Sequence, residues 1–219
     1  METTELAPKR GISETGLKWI ALVTMVLDHI HYFFGFTGVI PEWFSMAGRI
    51  SAPLFMFCLV EGFTHTHNRK KYFLKVYALS AAMSLLYYLM AYGGLPGFVC
   101  YSVVPLWGMT GDSSWPVLVM GLVLYLFRKR RGVQVAAFTV YYLLYGVVYM
   151  GLMVSNMPGF VWTQLFTVYY EIYGVLAAPL MLWYNGQRGR GHKALFYVFY
   201  PAHVYVFYAL SWGLYLLLN

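Results

Sequence analysis

The chain has 219 residues, of which 60% are hydrophobic and only 11% are charged. Soluble domains are about 45–50% apolar and about 25% charged, and a globule of this length cannot bury such an apolar excess, so the composition excludes a soluble domain and predicts an integral membrane protein. The formal charge of +7 does not by itself indicate a nucleic-acid partner, because in membrane proteins the location of basic residues matters more than their sum.

Seven apolar segments follow a short tail at 1–16, and most of them approach the ~20 residues that a helix needs to cross a bilayer. The segments are 17–36, 46–66, 71–91, 114–128, 133–153, 160–184 and 194–217. They predict an all-α polytopic bundle of about seven transmembrane helices that forms a single domain over 17–219. The first segment contains Asp28, His29 and His31 and has no small-residue cleavage site after it, so we do not expect a signal peptide.

Two features concern the connections between the segments. The stretch from Tyr92 to Ser114 fits either an external loop or a re-entrant segment. With the N-terminus inside, fourteen of the fifteen Lys and Arg fall in the tail and first helix entry and in the connections after the second, fourth and sixth segments. The positive-inside rule then predicts a cytoplasmic N-terminus and an external C-terminus. We interpret the basic runs as topology signals of a multi-pass protein of the cell inner membrane, with the lipid bilayer and no nucleic acid as partner.

Ionisable residues inside the apolar segments are the exception to this pattern. Asp28 and His29 lie about eleven residues into the first segment, and Glu171 and His203 lie at similar depth in the sixth and the last. Arg49 lies near the outer end of the second segment and is the one cation that the cytoplasmic connections do not account for. Each charge costs at least about 2.5–3.5 kcal/mol at the bilayer centre unless it is paired or solvated. The group therefore predicts a shared polar cavity, with ion pairs that hold helices together as the simpler interpretation.

The residue types also suggest a chemistry. Histidine gives and takes a proton near pH 7, and a neighbouring carboxylate fixes its tautomer. Such a pair suits deprotonation of a nucleophile during acyl transfer, and it suits proton transport equally well. Because Asp28 and His29 are adjacent, they point about 100° apart around the helix and cannot both face one centre squarely. Cys58 and Cys100 lack paired or metal-like spacing, so neither a disulfide nor a metal site is expected.

Four sequence blocks resemble the TraX family, in the family's order. They are 16–30 (GLKWIALVTMVLDHI), 48–66 (GRISAPLF continuing to EGFTHT), 184–189 (YNGQRG) and 193–203 (KALFYVFYPAH). The resemblance implies a membrane acetyltransferase that takes an acetyl group from cytosolic acetyl-CoA. The family member that gives the name is associated with N-terminal acetylation of a conjugative pilin.

The resemblance also implies roles for individual residues. His29 or His203 would be the general base, and Asp28 or Glu171 would orient it. Arg49 would hold a developing oxyanion or an acceptor carboxylate.

Two further groups of residues complete the predicted site. Glu61 and His65, one helical turn apart on the same face, would contribute to substrate binding. The loop with Asn185, Gly186 and Arg188 would meet the phosphates of acetyl-CoA through arginine and backbone N–H groups, and its alternative interpretation is a helix-terminating turn with topology charges.

Three functions remain open at this point. The first is acyl transfer to a membrane or external acceptor, which is a peptide, a glycan or a lipid. The second is a proton-coupled transporter that uses the same groups as a relay, although the sequence shows no internal repeat. The third is a non-catalytic assembly factor of a pilus or secretion apparatus, in which His29 and His203 would be dispensable.

Overall fold

The computed structural model describes residues 10–78, 81, 114–189, 191 and 193–218. Within these ranges the secondary structure is helical, apart from one isolated parallel bridge between Ile12 and Tyr184. The α-helices are α1 Glu14–Phe34, α2 Trp43–Gly48, α3 Ser51–Thr64, α4 Ser114–Leu126, α5 Arg131–Leu143, α6 Met150–Val154, α7 Gln164–Thr167, α8 Ala177–Leu182 and α9 Lys193–Leu218. Residues 69–78 are also helical. The prediction of an all-helical fold is therefore confirmed for the described part of the chain.

Helix α1 begins where its sequence provides a cap. The Ser13 hydroxyl accepts a hydrogen bond from the Gly16 N–H at 3.2 Å, which satisfies one of the N–H groups that lack an intrahelical partner, and Glu14 adds a negative charge in the first turn. Its 21 residues span about 32 Å at 1.5 Å per residue, which is enough to cross the hydrocarbon core. Leu17 and Ala21 are fully buried, so α1 forms part of the central core.

The second predicted segment is one membrane-length stretch, Trp43–Thr64, that is broken into α2 and α3 at Arg49 and Ile50. Proline at position 53 explains the break. Pro53 has no N–H to donate to the Arg49 carbonyl four residues earlier, and its ring would clash with that carbonyl in a continuous helix. As the third residue of α3, however, Pro53 occupies the first turn, where N–H groups have no intrahelical partner to lose.

A third membrane-length stretch, Arg131–Val154, contains a change of helical pitch. Helix α5 passes into a π-helix over Leu144–Tyr149 and then into α6. Gly146 lies in the π-helix, where a Cβ atom would come within 3.0 Å of the Ile172 Cα. The missing side chain lets the backbone of the 3₁₀ helix Glu171–Leu176 approach the π-helix closely.

The sixth segment differs from the prediction of one continuous helix over 160–184. Within this segment, the helical structure before Tyr170 is limited to the short α7. Tyr170 adopts a left-handed backbone conformation with φ of 51°. The 3₁₀ helix Glu171–Leu176 follows it and leads into α8. These last two elements cover 12 residues, or about 21 Å at 2.0 Å per residue in the 3₁₀ helix and 1.5 Å in α8, which is shorter than the hydrocarbon core. Glu171 therefore lies at the start of a helical element and not in the middle of one.

The core forms on both sides of α1. On one side, α1 packs with α3, α4, α5 and α8 around buried apolar residues such as Leu54 and Phe138. On the other side, Phe33 and Val204 form a smaller cluster between α1 and α9. Many large apolar side chains face outward, such as Leu122 and Leu152, as expected for a surface in lipid.

Three helical stretches are long and apolar enough to cross a membrane, namely Glu14–Thr37, Trp43–Thr64 and Arg131–Val154. Shorter apolar helices occur over Pro116–Leu126, Glu171–Leu182 and Ala202–Leu218. Most of the predicted third segment and nearly all of the connection from Tyr92 to Ser114 lie outside the described residues. The count of seven spans and the orientation of the termini thus stay predictions.

Candidate functional site

An ion-pair cluster centred on Arg49 joins three helical elements. Arg49 Nη1 donates to Glu171 Oε1 at 2.9 Å, and Arg49 Nη2 lies 3.7 Å from Asp28 Oδ1. The three side chains are each largely buried, with exposed fractions of 21–31%. One guanidinium thus faces two carboxylates, which compensates charges that would be costly if left alone in an apolar interior.

Irregular backbone positions two of the three members of this cluster. Arg49 lies at the break between α2 and α3, and Glu171 is the first residue of a 3₁₀ helix that follows the left-handed Tyr170. Asp28 sits on the regular α1 but contacts Gly48 so closely that a Cβ atom there would lie 2.2 Å from the Asp28 Cβ. Strained and broken backbone at membrane depth is typical of functional sites, because such conformations persist only where the surroundings enforce them.

The third guanidinium nitrogen of Arg49 is in a different situation. Among the buried side-chain nitrogen and oxygen atoms of the described residues, Arg49 Nε has no hydrogen-bond partner. A buried donor without an acceptor costs about 1–3 kcal/mol. The Nε–H group is therefore the part of this guanidinium for which the described side chains and backbone supply no acceptor.

Two histidines form a second polar contact, between α1 and α9. His29 Nδ1 lies 2.6 Å from His203 Nε2, and His203 Nδ1 lies 2.8 Å from the Phe199 carbonyl oxygen. A carbonyl oxygen only accepts, so neutral His203 carries its proton on Nδ1 and its Nε2 is an acceptor. His29 Nδ1–H then donates to that nitrogen, which leaves a lone pair on His29 Nε2. The chain of contacts therefore fixes the tautomer that a general base at His29 needs.

The two polar contacts lie on different sides of α1, as the rotation of about 100° per residue requires. Asp28 faces Arg49, whereas His29 faces α9 together with Phe33, one turn further along. The sequence predicted that a carboxylate orients the histidine base. In the structure, Asp28 and Glu171 contact Arg49, and the backbone carbonyl of Phe199 contacts His203.

A histidine–serine contact lies beside the Arg49 cluster and was missed by sequence analysis. Ser45 Oγ on α2 is 3.0 Å from His31 Nδ1 on α1, and Ser45 is only 4% exposed. The available signal was spacing, because His31 lies three residues after Asp28 and therefore near the same face of α1. Ser45 itself has no sequence signature that distinguishes it from other serines in apolar helices.

Glu61 and His65 occupy a separate region toward the other end of α3. Glu61 is buried and its Oε1 lies 3.1 Å from Arg131 Nη2, while His65 Nδ1 lies 2.8 Å from the Glu61 backbone oxygen. The Arg131 guanidinium also stacks over the rings of Phe57 and Tyr184, at 4.5 and 4.9 Å from their centroids. Glu61 thus belongs to a group of contacts around Arg131 that connects α3, α5 and the segment after α8. This group is separate from the Arg49 cluster.

The predicted phosphate-binding loop is occupied by the chain's own N-terminal segment. The Asn185 N–H donates to the Ile12 oxygen at 3.0 Å, its side-chain amide donates to the Gly11 oxygen at 3.3 Å, and its Oδ1 accepts from the Gln187 N–H at 2.9 Å. The Arg188 oxygen accepts from both the N–H and the hydroxyl of Thr15.

The polar groups of Asn185 thus make hydrogen bonds to other residues of the same chain. The exposed Arg188 guanidinium is the member of the predicted set that fits an anionic ligand at the surface, and Gly186, with φ of 76°, supplies the turn between them.

The fold and the polar contacts define the class of the protein: a helical protein with membrane-length helices whose broken segments bring ionisable side chains together. The comparison with known families is specific. The model of the TraX protein family matches residues 13–211, so the chain belongs to the TraX family, as the four sequence blocks indicated. Neither the curated proteins nor the solved structures include a significant match to the chain.

Proposed function

We propose that the chain is a membrane-embedded acetyltransferase that transfers an acetyl group from acetyl-CoA to an acceptor in or beyond the membrane. Membership of the TraX family makes this activity the expected one, and the buried polar contacts supply suitable groups. The observation that carries the proposal is the chain from the Phe199 carbonyl through His203 to His29, which orients a basic nitrogen inside an apolar helix interface.

In this proposal His29 Nε2 accepts the proton that the acceptor loses as it attacks the acetyl carbon. The C–S bond of the thioester then breaks, and the proton passes from the imidazolium to the coenzyme A thiolate, which leaves as the free thiol. His203 stabilises the resulting imidazolium through their shared hydrogen bond, and the Phe199 carbonyl holds His203 in place. A positioned base of this kind contributes about 10²–10⁴-fold to a rate. The role that a carboxylate plays in other histidine sites is thus assigned here to a backbone carbonyl.

We assign to Arg49 the stabilisation of the negative charge that develops on the acetyl oxygen. Its contact and that of His29 lie on faces of α1 about 100° apart, so the proposal requires the acetyl group to lie between these two faces. Arg49 Nη1 donates to Glu171 and Nη2 lies 3.7 Å from Asp28, which together hold the guanidinium plane. A guanidinium has five N–H groups, and those that these carboxylates do not use, including the N–H of Nε, are the donors proposed for the acetyl oxygen. A pre-positioned donor is more effective than a mobile one, because no reorganisation is needed in the transition state. Asp28 and Glu171 are therefore positioning groups for Arg49 in this mechanism.

Acetyl-CoA, the acetyl donor, binds at the cytoplasmic face in this proposal, where Arg188 is the candidate partner for its phosphates. Asn185 and Gly186 contribute by shaping the loop that presents Arg188, since the polar groups of Asn185 already bind the N-terminal segment. The acceptor is a peptide, a glycan or a lipid that carries an amine or hydroxyl nucleophile.

The test uses the purified full chain in liposomes and membranes from cells with and without the gene. We expect acetyl-CoA-dependent acetylation of a membrane or surface polymer, detected by mass spectrometry, only when the gene is present. His29→Ala and His203→Ala should each lower transfer at least about 100-fold, in line with the loss of a general base. His67→Ala, an exposed histidine outside the helices, is the matched control and should leave transfer unchanged. Full activity of both site variants would contradict the assignment of the base.

A proton-coupled transporter is the second candidate, and one observation favours it. Helices broken near membrane-embedded charges, as at Arg49 and Glu171, are common in transporters, where they form ion and substrate sites. Liposomes that contain the protein and a pH-sensitive dye distinguish the two functions. Proton flux that depends on Arg49 and Glu171, without any acetyl transfer, would favour transport.

A further inference from the structure

The contact between Ser45 and His31 is a second polar contact between α1 and the α2 region, beside the ion pair of Arg49 and Asp28. His31 follows Asp28 by three residues on α1, and Ser45 of α2 precedes Arg49, the residue directly after that helix, by four, so each pair of residues lies on one helix face. The two contacts therefore connect α1 to α2 and its C-terminal end, about one helical turn from each other. They are the His31–Ser45 contact at 3.0 Å and the Asp28–Arg49 contact at 3.7 Å.

Helices α1 and α2 pack closely around these two polar contacts. Gly48 sits against the Asp28 side chain without room for a Cβ atom, and Ser45 and Gly48 are both buried in the interface. Helix α2 has only six residues and is followed by the break at Arg49. So short an element has little stability of its own, because most of its hydrogen-bonding groups lie in its ends. Its orientation depends on its contacts with α1.

We propose that Ser45 and His31 are positioning residues for Arg49. Their hydrogen bond fixes the rotation of α2 about its axis, and this rotation directs Arg49 Nη1 to Glu171 and brings Nη2 close to Asp28. The catalytic consequence rests on the proposed acetyl transfer, whereas the structural consequence for Arg49 does not.

A different role for the same pair would be an activated serine nucleophile with His31 as its base. The burial of Ser45 argues for the positioning role, because this residue is 4% exposed and lies in the packed interface of α1 and α2. The two helices would have to separate before a thioester carbonyl could reach its hydroxyl. An approach of about 3–3.5 Å is needed for attack. The experiment below separates these two roles.

The first arm is a double-mutant cycle in liposomes with acetyl-CoA as donor and gene-deleted membranes as the acceptor source. We expect Ser45→Ala to lower kcat about 10- to 100-fold with little change in KM, since a displacement of about 1 Å can cost about 100-fold. In an Arg49→Lys background the same change should cost almost nothing further, because both changes affect one group. Ser51→Ala, which removes another buried serine beyond the break, is the matched control and should be silent.

The second arm varies the histidine. His31→Asn keeps a polar group that can bond Ser45, and His31→Ala does not, so we expect Asn to retain most of the activity and Ala to match Ser45→Ala. Inactivity of His31→Asn together with an acetyl group on Ser45, found by mass spectrometry after incubation with acetyl-CoA alone, would overturn the positioning role. Independent, multiplying losses in the double-mutant cycle would overturn it as well.

The third arm needs no activity. In ¹⁵N-arginine-labelled protein in detergent, the Arg49 Nε–H resonance, assigned through Arg49→Lys, should shift in Ser45→Ala and stay in place in Ser51→Ala. If wild-type protein transfers no acetyl group to any membrane component, the proposed function fails, and this resonance still decides the positioning role. An unchanged Arg49 Nε–H resonance in Ser45→Ala would contradict the positioning role even if acetyl transfer is observed.

Discussion

Arginine and lysine are not interchangeable at position 49. The planar guanidinium contacts Glu171 and Asp28 with two of its nitrogens, and the third donor, Nε–H, has no hydrogen-bond partner among the described residues. Lysine places one compact charge on a flexible stem and has no such fork. The geometry of this residue, more than its charge, is what the cluster uses.

Arg49→Lys should therefore lower kcat about 10²–10³-fold, the usual cost of removing one oxyanion donor, while the protein still inserts and folds. Acetyl transfer in liposomes and a thermal unfolding scan in detergent are the two measurements. Unchanged turnover would show that a point charge suffices and that the third donor has no role.

Gly48 is the second residue whose identity the structure explains. An added methyl group would overlap the Asp28 side chain, with only 2.2 Å between the two Cβ atoms, so either α2 or Asp28 must move. Overpacking of this kind costs about 1–3 kcal/mol.

We accordingly expect Gly48→Ala to lower the thermal unfolding midpoint in detergent and to reduce acetyl transfer. The matched control is Gly132→Ala on α5, because a Cβ atom there meets no atom within 4 Å, and this variant should keep the wild-type midpoint. Equal midpoints for the two variants would mean that the α1–α2 interface adapts to the extra methyl group without loss.

At the scale of elements, the N-terminal segment and the loop after α8 form one unit. Backbone bonds join Ile12 to Trp183, Glu14 to Gln187 and Thr15 to Arg188, at 2.8–3.1 Å. Gly11 is required in this arrangement, because its φ of 123° is left-handed and a Cβ atom would lie 2.4 Å from the Trp183 oxygen. The family block YNGQRG thus has a clear structural task, whatever it binds in addition.

Loss of the Asn185 side chain should loosen this unit. In Asn185→Ala the side-chain amide no longer donates to the Gly11 oxygen or accepts from the Gln187 N–H, so the backbone amide hydrogens of residues 12–15 should exchange faster with deuterium. Asn68→Ala removes a comparable bond, from the Lys71 N–H to Asn68, in another connection and should leave that peptide unaffected. The same exchange rate in both variants would show that the backbone bonds alone hold the N-terminal segment.

At the scale of the whole molecule, α1 is the element around which the rest is organised. It packs against α2 and α3 on one side and α9 on the other, and both polar contacts include its residues Asp28 and His29. The positive-inside rule predicts that the basic connections of this chain lie on one side of the bilayer.

Cysteine labelling tests the predicted orientation directly. In a chain whose Cys58 and Cys100 are replaced by alanine, a cysteine in place of the exposed Val39 should react with a membrane-impermeant maleimide in intact cells. A cysteine in place of Lys129 should react only after the cells are permeabilised. The reverse pattern would invert the topology and move the acetyl-CoA side to the other face.

The sequence by itself determined the features that depend on local composition. Apolar content and segment length predicted a helical membrane protein, the four blocks predicted the family, and the cost of charge in lipid singled out Asp28, Arg49, Glu171 and His203. The 100° rotation per residue also predicted that Asp28 and His29 face different centres, as the structure shows. All of these follow from residues close together along the chain.

Only the tertiary structure decided which of these groups meet. Arg49 and Glu171 are 122 residues apart, and His29 and His203 are 174 residues apart, so no local pattern pairs them. The continuous sixth span failed as a prediction because hydropathy registers side-chain polarity and is insensitive to a left-handed residue such as Tyr170. Partner choice in a buried interior is set by helix packing and backbone breaks, since a charge that must be compensated takes the partner that the fold places within reach.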